Sequence, residues 1–223
     1  MTPPIPARPF SGYRPVEPFP VHARQPGQQT VLTDLSPLIA ATTHWLTAAY
    51  PPHGGALASA LCEAQARQAV TVAAWLRYPT ALDAGLVAVT GPGGSARLDR
   101  LAGPDPDERS DGTDGTDGTD GTDGTDGTDA AADAWRTWVD EVVASWAAGL
   151  LADPELAGRA VAALAGGEHT AAAPVAFRRL LAPDEGERRA AALLRHPDLV
   201  APVAELHRAR LVALVEPGHA TAG

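Results

Sequence analysis

Apolar residues recur with a period of about 3.6 positions in a tryptophan-rich segment, residues 135–151, which reads WRTWVDEVVASWAAGLL. A helix through this segment places its apolar residues on one face: Trp135, Trp138, Val139, Val142, Trp146, Gly149 and Leu150. Each packed tryptophan buries about 150–250 Å² of surface. We therefore predict an amphipathic helix of about four to five turns, capped by Asp129, whose tryptophan face nucleates the core.

The same period predicts two helices earlier in the chain. The first covers about residues 37–50, with Ser36 as its N-cap and a Pro-Pro-His-Gly-Gly stop after it. The second covers residues 56–78 and ends before Pro79. Because Cys62 falls on its apolar stripe, we interpret this lone cysteine as an inert small hydrophobe. The short connection favours antiparallel neighbours.

The segments that flank the tryptophan helix are shorter. Residues 80–103 contain an apolar run, 85–90, that fits either a helix or a strand, and then a Gly-Pro-Gly-Gly turn. Later helices are predicted at 154–164, capped by Asp153, and at 173–181, 184–195 and 197–215. The last of these has an apolar face made of Leu199, Val200, Val203, Leu206, Leu211 and Leu214. His207 falls inside this face, so we expect a neutral histidine in the core.

Three stretches lack the apolar pattern of a folded segment. Residues 1–29 hold eight prolines, and residues 111–128 are six tandem Asp-Gly-Thr triplets without an apolar residue. The tail, 217–223, is short and is expected to be frayed. We predict an all-α fold in which residues 30–103 and 130–216 form one bundle-like domain. A proline-rich arm, 1–29, precedes this domain, and a disordered acidic loop, 104–129, interrupts it.

Charge and composition narrow the functional class. The net charge is −10, and seven of the 27 acidic residues lie between positions 111 and 129, so the rest of the chain is close to neutral. This balance argues against a nucleic-acid binder. No apolar run reaches the roughly 18 residues of a membrane span, and the N-terminus lacks a secretory signal, so we expect a cytoplasmic protein. The absence of lysine and the abundance of alanine indicate a high-GC bacterial source.

Motifs for catalysis, cofactors or metals are missing from the sequence. The Asp-Gly-Thr repeat lacks the alternate acids of an EF-hand and the apolar positions of a calcium-binding β-helix, so no metal is predicted. The residues ranked as weak ligand-binding candidates are His207, His169, Glu168, His44, Arg178 and Arg179. We expect a non-enzymatic accessory protein that binds another protein, in part through residues 1–29. The alternative is an enzyme or small-ligand binder whose His/Arg/carboxylate site is assembled between helices.

Overall fold

The computed structural model describes residues 34–103, 133–172 and 177–216, all of which belong to one contact unit that begins at Leu32. These residues are 74% helix and contain no strand, which confirms the all-helical prediction for this part of the chain. The helices are α1 (Ser36–Ala49), α2 (Gly55–Arg77), α3 (Ala81–Thr90), α4 (Ala96–Ala102), the 3₁₀ helix η1 (Ala134–Trp138), α5 (Glu141–Ala152), α6 (Pro154–Ala163), α7 (Glu168–Ala172), α8 (Arg178–Leu181), α9 (Glu185–Ala190), α10 (Pro197–Ala204) and α11 (Arg208–Val215).

Helix α5 lies at the centre of the described core. Every residue from 143 to 151 is buried, and the helix makes its broadest contacts with α2 and α10. A helix that is apolar on all sides must be surrounded by others. Its one polar residue in this stretch is Ser145, whose hydroxyl donates to Ala204 O (3.3 Å) and accepts from His207 N (3.0 Å). The buried hydroxyl therefore both donates and accepts a hydrogen bond, and it joins α5 to the end of α10.

The tryptophan segment is two elements rather than one helix, so the predicted continuous face is wrong. Trp135 and Trp138 lie half-buried on η1, whereas Trp146 lies in α5 and is 2% exposed. Asp140 is extended and caps α5, accepting from the backbone N–H groups of residues 142 and 143 at 2.8 and 3.1 Å. Asp129, which was expected to cap this segment, lies outside the described residues. The second oxygen of Asp140 accepts from the Tyr78 hydroxyl, which fixes the break against α2.

The bounds of the first two predicted helices are confirmed within a residue at each end. The predicted cap by Ser36 is wrong, because Ser36 is the first residue of α1 and Leu35 lies at the N-cap position without a side-chain cap bond. The ambiguous segment is helix α3, because Thr80 and Asp83 form a capping box that stabilises a helical start. The predicted glycine turn follows, with φ values of 70°, 132° and 118° at Gly91, Gly93 and Gly94. Helix α4 was not predicted.

The C-terminal helices are shorter than the sequence predicts. The helix expected over 197–215 ends at Ala204 and restarts at Arg208, so His207 lies in a junction and not on a helix face. Leu199 and Leu214 of the predicted face are 45% and 42% exposed. The helix expected over 184–195 ends at Ala190. The cap of α6 by Asp153 is confirmed by bonds from the N–H groups of residues 155 and 156.

Several predictions lie outside the described residues. They concern the proline-rich arm 1–29, the Asp-Gly-Thr loop within 104–129, the tail 217–223 and the start of the helix expected at 173–181. Within the described ranges, no helix combines the length and the apolar character needed to cross a membrane.

Candidate functional site

The C-terminal candidate, His207, is half-buried at the junction of α10 and α11. Its Nε2 lies 3.0 Å from Glu141 Oε1, and the same oxygen accepts from Arg97 Nη1 at 3.0 Å. The His207 backbone is also held by α5, because its carbonyl accepts from the Trp146 indole (3.0 Å) and its N–H donates to Ser145. The side chain therefore belongs to a cluster with Glu141 and Arg97 at this junction, and is not an isolated polar group among leucines.

His169 and Glu168 of α7 bind the connection between α2 and α3. His169 Nε2 donates to the Tyr78 carbonyl at 2.8 Å, since a carbonyl can only accept, and its ring stacks on Trp75 with centroids 5.6 Å apart. Glu168 Oε2 accepts from the Ala81 N–H (3.1 Å) at the first turn of α3. Both side chains thus position α3, and neither reaches the cluster around His207.

His44 is exposed on α1, and its ring forms a T-shaped contact with the Trp135 ring at a centroid distance of 4.4 Å. The neighbouring Trp45 is buried, and its indole donates to Asp99 at 2.7 Å. The Asp99 carboxylate also accepts from Arg136 at 3.1 Å. These contacts hold α1, α4 and η1 together, with His44 on their outer side.

Arg178 and Arg179 both donate to one buried carboxylate oxygen, Glu187 Oε1, at 2.5 and 2.6 Å. The other oxygen accepts from the backbone N–H of Asp184 at 2.8 Å. This backbone bond, followed by Arg178, holds the pKa of Glu187 below its usual value in spite of its burial. The two arginines considered as an anion site therefore already have a carboxylate partner.

A buried glutamine completes this arrangement and was missed in the sequence. Gln65 of α2 is 0% exposed, donates to the Glu187 carbonyl at 2.6 Å and accepts from Arg195 Nε at 2.7 Å. Arg195 also donates to the Arg179 carbonyl at 2.7 Å, and its burial lowers the pKa of the guanidinium. We call Gln65, Arg178, Arg179, Glu187 and Arg195 the clasp. The sequence does carry a signal for Gln65, because this polar residue lies one turn after Cys62 within the apolar stripe of α2.

The six predicted candidates are divided among the His207 cluster, the α2–α3 connection, the His44 contact and the clasp. No group of three or more His, Cys, Asp or Glu side chains in the described ranges is arranged to hold a metal ion.

The outer side of α3 exposes a row of three large apolar side chains. Leu82, Leu86 and Val89 are 72%, 57% and 87% exposed, and their i, i+4, i+7 spacing places them on one face. We call these three residues the α3 face. The opposite side of the helix is buried through Ala84 and Val87. A cavity of about 320 Å³ lies at the C-terminal end of the face, where Val89 approaches Gly91, Gly93 and Trp138.

The chemistry of the α3 face is apolar and uncharged. Asp83, the one charged residue of α3, accepts from the Thr80 backbone and hydroxyl at 3.1 and 2.6 Å and so belongs to the cap. Solvent contact of three large apolar side chains in a row is unfavourable unless a partner covers them. The sequence signal is that ALDAGLVAVT is apolar at every position except Asp83 and Thr90, a pattern typical of a surrounded helix.

Comparison with known proteins does not assign this fold to a family. No protein-family model, no curated protein and no solved structure matches the chain. Its function therefore has to be inferred from its own residues.

Proposed function

We propose that this chain is a non-enzymatic accessory protein of a bacterial cytoplasm and that it binds a protein partner through the α3 face. The observation that carries the proposal is the exposure of Leu82, Leu86 and Val89 on one side of a well-capped helix. Full burial of a leucine or valine side chain contributes about 1.5–3 kcal/mol, so covering this row is a substantial source of binding energy. Residues 1–29 are a second segment proposed to contact the partner.

The contacts of the six candidate residues favour binding over catalysis. Arg178 and Arg179 neutralise Glu187, and His207 pairs with Glu141. An enzyme of the alternative class needs several such groups converging on one pocket. Here these groups join helices to one another, which is the role of a scaffold that presents a surface.

A photo-crosslinking experiment tests the proposed surface. A benzophenone amino acid replaces Leu86, and a matched variant carries it in place of Leu57, a leucine that is 74% exposed on α2. Both full-length variants are irradiated in the cells that naturally express the chain. We expect a discrete protein adduct from position 86 and none from position 57. Absence of an adduct at position 86, or equal labelling at both positions, would contradict the proposal.

A further inference from the structure

We propose that the cavity at the C-terminal end of α3 binds a basic side chain, Lys or Arg, of the protein partner that covers the α3 face; this inference rests on the proposed function above. The cavity holds about 320 Å³ and is lined by the last turn of α3, by Gly91 and Gly93, and by Thr137 and Trp138 of η1. Val89 belongs both to the α3 face and to the cavity wall. A partner that covers the face therefore reaches the cavity as well.

The last three backbone carbonyls of α3, at positions 88–90, belong to residues that line this cavity. In a continuing helix each would accept from the N–H group four positions later. Pro92 has no N–H, and the N–H of Gly94 donates instead to the Val139 carbonyl at 3.1 Å. Within the described residues no hydrogen bond is made to these three carbonyls. The end of α3 therefore keeps acceptors that an outside donor can use.

The charge at this end of α3 favours a cation. The C-terminal carbonyls of a helix carry about half an elementary negative charge, which Lys or Arg in the last turn commonly offsets. Helix α3 has no basic residue in its last turn. The one basic residue of η1, Arg136, is paired with Asp99 and Asp133 at 3.1 Å each. A cation from outside is therefore attracted to the cavity, and the net charge of −10 attracts a basic partner at longer range.

The rest of the cavity wall suits an organic cation. The Thr90 hydroxyl donates to the Leu86 carbonyl at 2.9 Å. The Thr137 hydroxyl donates to the Ala134 carbonyl at 2.8 Å, so both hydroxyl oxygens can still accept. Trp138 supplies an indole ring, the aromatic group that attracts cations most strongly. The described lining residues include no acidic side chain, so the wall lacks the carboxylates of a calcium or magnesium site. An ammonium or guanidinium on an apolar stem fits these groups.

An NMR titration of the full-length chain with n-butylammonium, which reproduces the lysine side chain, tests the site. We expect the Trp138 indole N–H resonance to shift and to saturate at millimolar concentration. Butan-1-ol, which has the same stem without the charge, and equimolar sodium chloride should cause no saturable shift. The Trp146 indole, bonded to the His207 carbonyl, is the internal reference. Absence of a saturable shift with butylammonium, or an equal one with butan-1-ol, would overturn the cation site.

Thr137 provides a matched pair of charge variants, because it is exposed and lines the cavity. Thr137→Glu should tighten butylammonium binding and Thr137→Arg should weaken it, each by roughly two- to five-fold. The same substitutions at Ala81, which is exposed at the opposite end of α3, change the net charge equally and should leave the affinity unchanged. Circular dichroism verifies that the helices are retained. Equal effects at positions 137 and 81 would show that net charge, and not the cavity, governs binding.

The photo-crosslinking variant at position 86 separates this inference from the proposed function. Combined with the substitutions at Thr137, its adduct yield should rise with Thr137→Glu and fall with Thr137→Arg. An unchanged yield in both variants keeps the α3 face as the interaction surface and overturns the basic side chain in the cavity. Absence of an adduct from position 86 in every variant overturns the proposed function, and the inference with it.

Discussion

Tryptophans that share a sequence segment make unequal contributions to the core. Trp146 is 2% exposed and its indole bonds the His207 carbonyl, whereas Trp138 is half-buried on η1. We predict that Trp146→Ala lowers the free energy of unfolding by about 3–5 kcal/mol, because loss of the buried indole leaves a large cavity between α5 and the helices around it. Trp138→Ala should cost clearly less. Urea denaturation of both variants measures the difference. A larger loss of stability in Trp138→Ala than in Trp146→Ala would favour the continuous tryptophan face as the core.

His207 shows how one partner changes the expected effect of a substitution. On an apolar face, His207→Leu would be neutral or stabilising, but the imidazole bonds Glu141. We predict that His207→Leu destabilises the fold by about 0.5–1.5 kcal/mol, a modest loss because both side chains are partly exposed to water. Arg97→Ala is the matched control on the same carboxylate. Arg97 is 54% exposed, so its loss should matter less. Equal or higher stability of His207→Leu in urea would refute the paired role.

At the scale of helices, the clasp makes the packing of α9 on α2 sensitive to acid. The pKa of Glu187 lies below the usual 4.5, chiefly through the Asp184 N–H. A lowered folded-state pKa means that this stabilisation is complete above the unfolded value and is lost as the pH falls below about 4.5 through the folded value. We predict that Glu187→Gln is less stable than wild type at pH 7 and loses less stability on acidification.

Urea midpoints between neutral pH and about pH 3 check this dependence. Glu185→Gln is the control, since Glu185 lies in the same helix and its side chain is 71% exposed. Parallel pH profiles for wild type and Glu187→Gln would show that the carboxylate does not provide the acid sensitivity.

Helices were predictable where their signals are local. Proline stops and the Asp153 cap define α1, α2 and α6 because those groups act on neighbouring backbone. The breaks before α5 and before α11 depend on distant partners: Tyr78 for Asp140, and Trp146 for His207. Local periodicity continues across such breaks, so it predicts one long helix in each case.

The candidate site was less predictable than the fold. Whether an apolar helix such as α3 is surrounded or exposed depends on which helices pack around it, and its ten residues are nearly uniform in character. The clasp likewise joins positions far apart in the chain. The predictions for the histidines rest on residue type and local sequence context, and the structure places these residues in separate contacts between helices.

At the scale of the whole molecule, the Asp-Gly-Thr tract connects α4 to η1 and lies outside the described residues. We predict that deletion of residues 111–128 leaves the melting temperature within a few degrees, because each doubling of loop length changes the closure free energy by only about 0.6 kcal/mol. Calorimetry with and without millimolar calcium measures this. A calcium-dependent rise in the full chain that is absent from the deletion would assign ion binding to the tract.

The clasp cannot form until most of the chain has been synthesised on the ribosome. Gln65 is separated from Arg195 by 130 positions. At about 5–20 residues per second, Arg195 is synthesised roughly 6–26 s after Gln65. Until Glu187 and Arg195 are made, the Gln65 amide lacks its two partners outside α2, and the surface of α2 that α9 covers is open to water and to chaperones. Newly made α2 therefore depends on the last quarter of the chain to complete its surroundings.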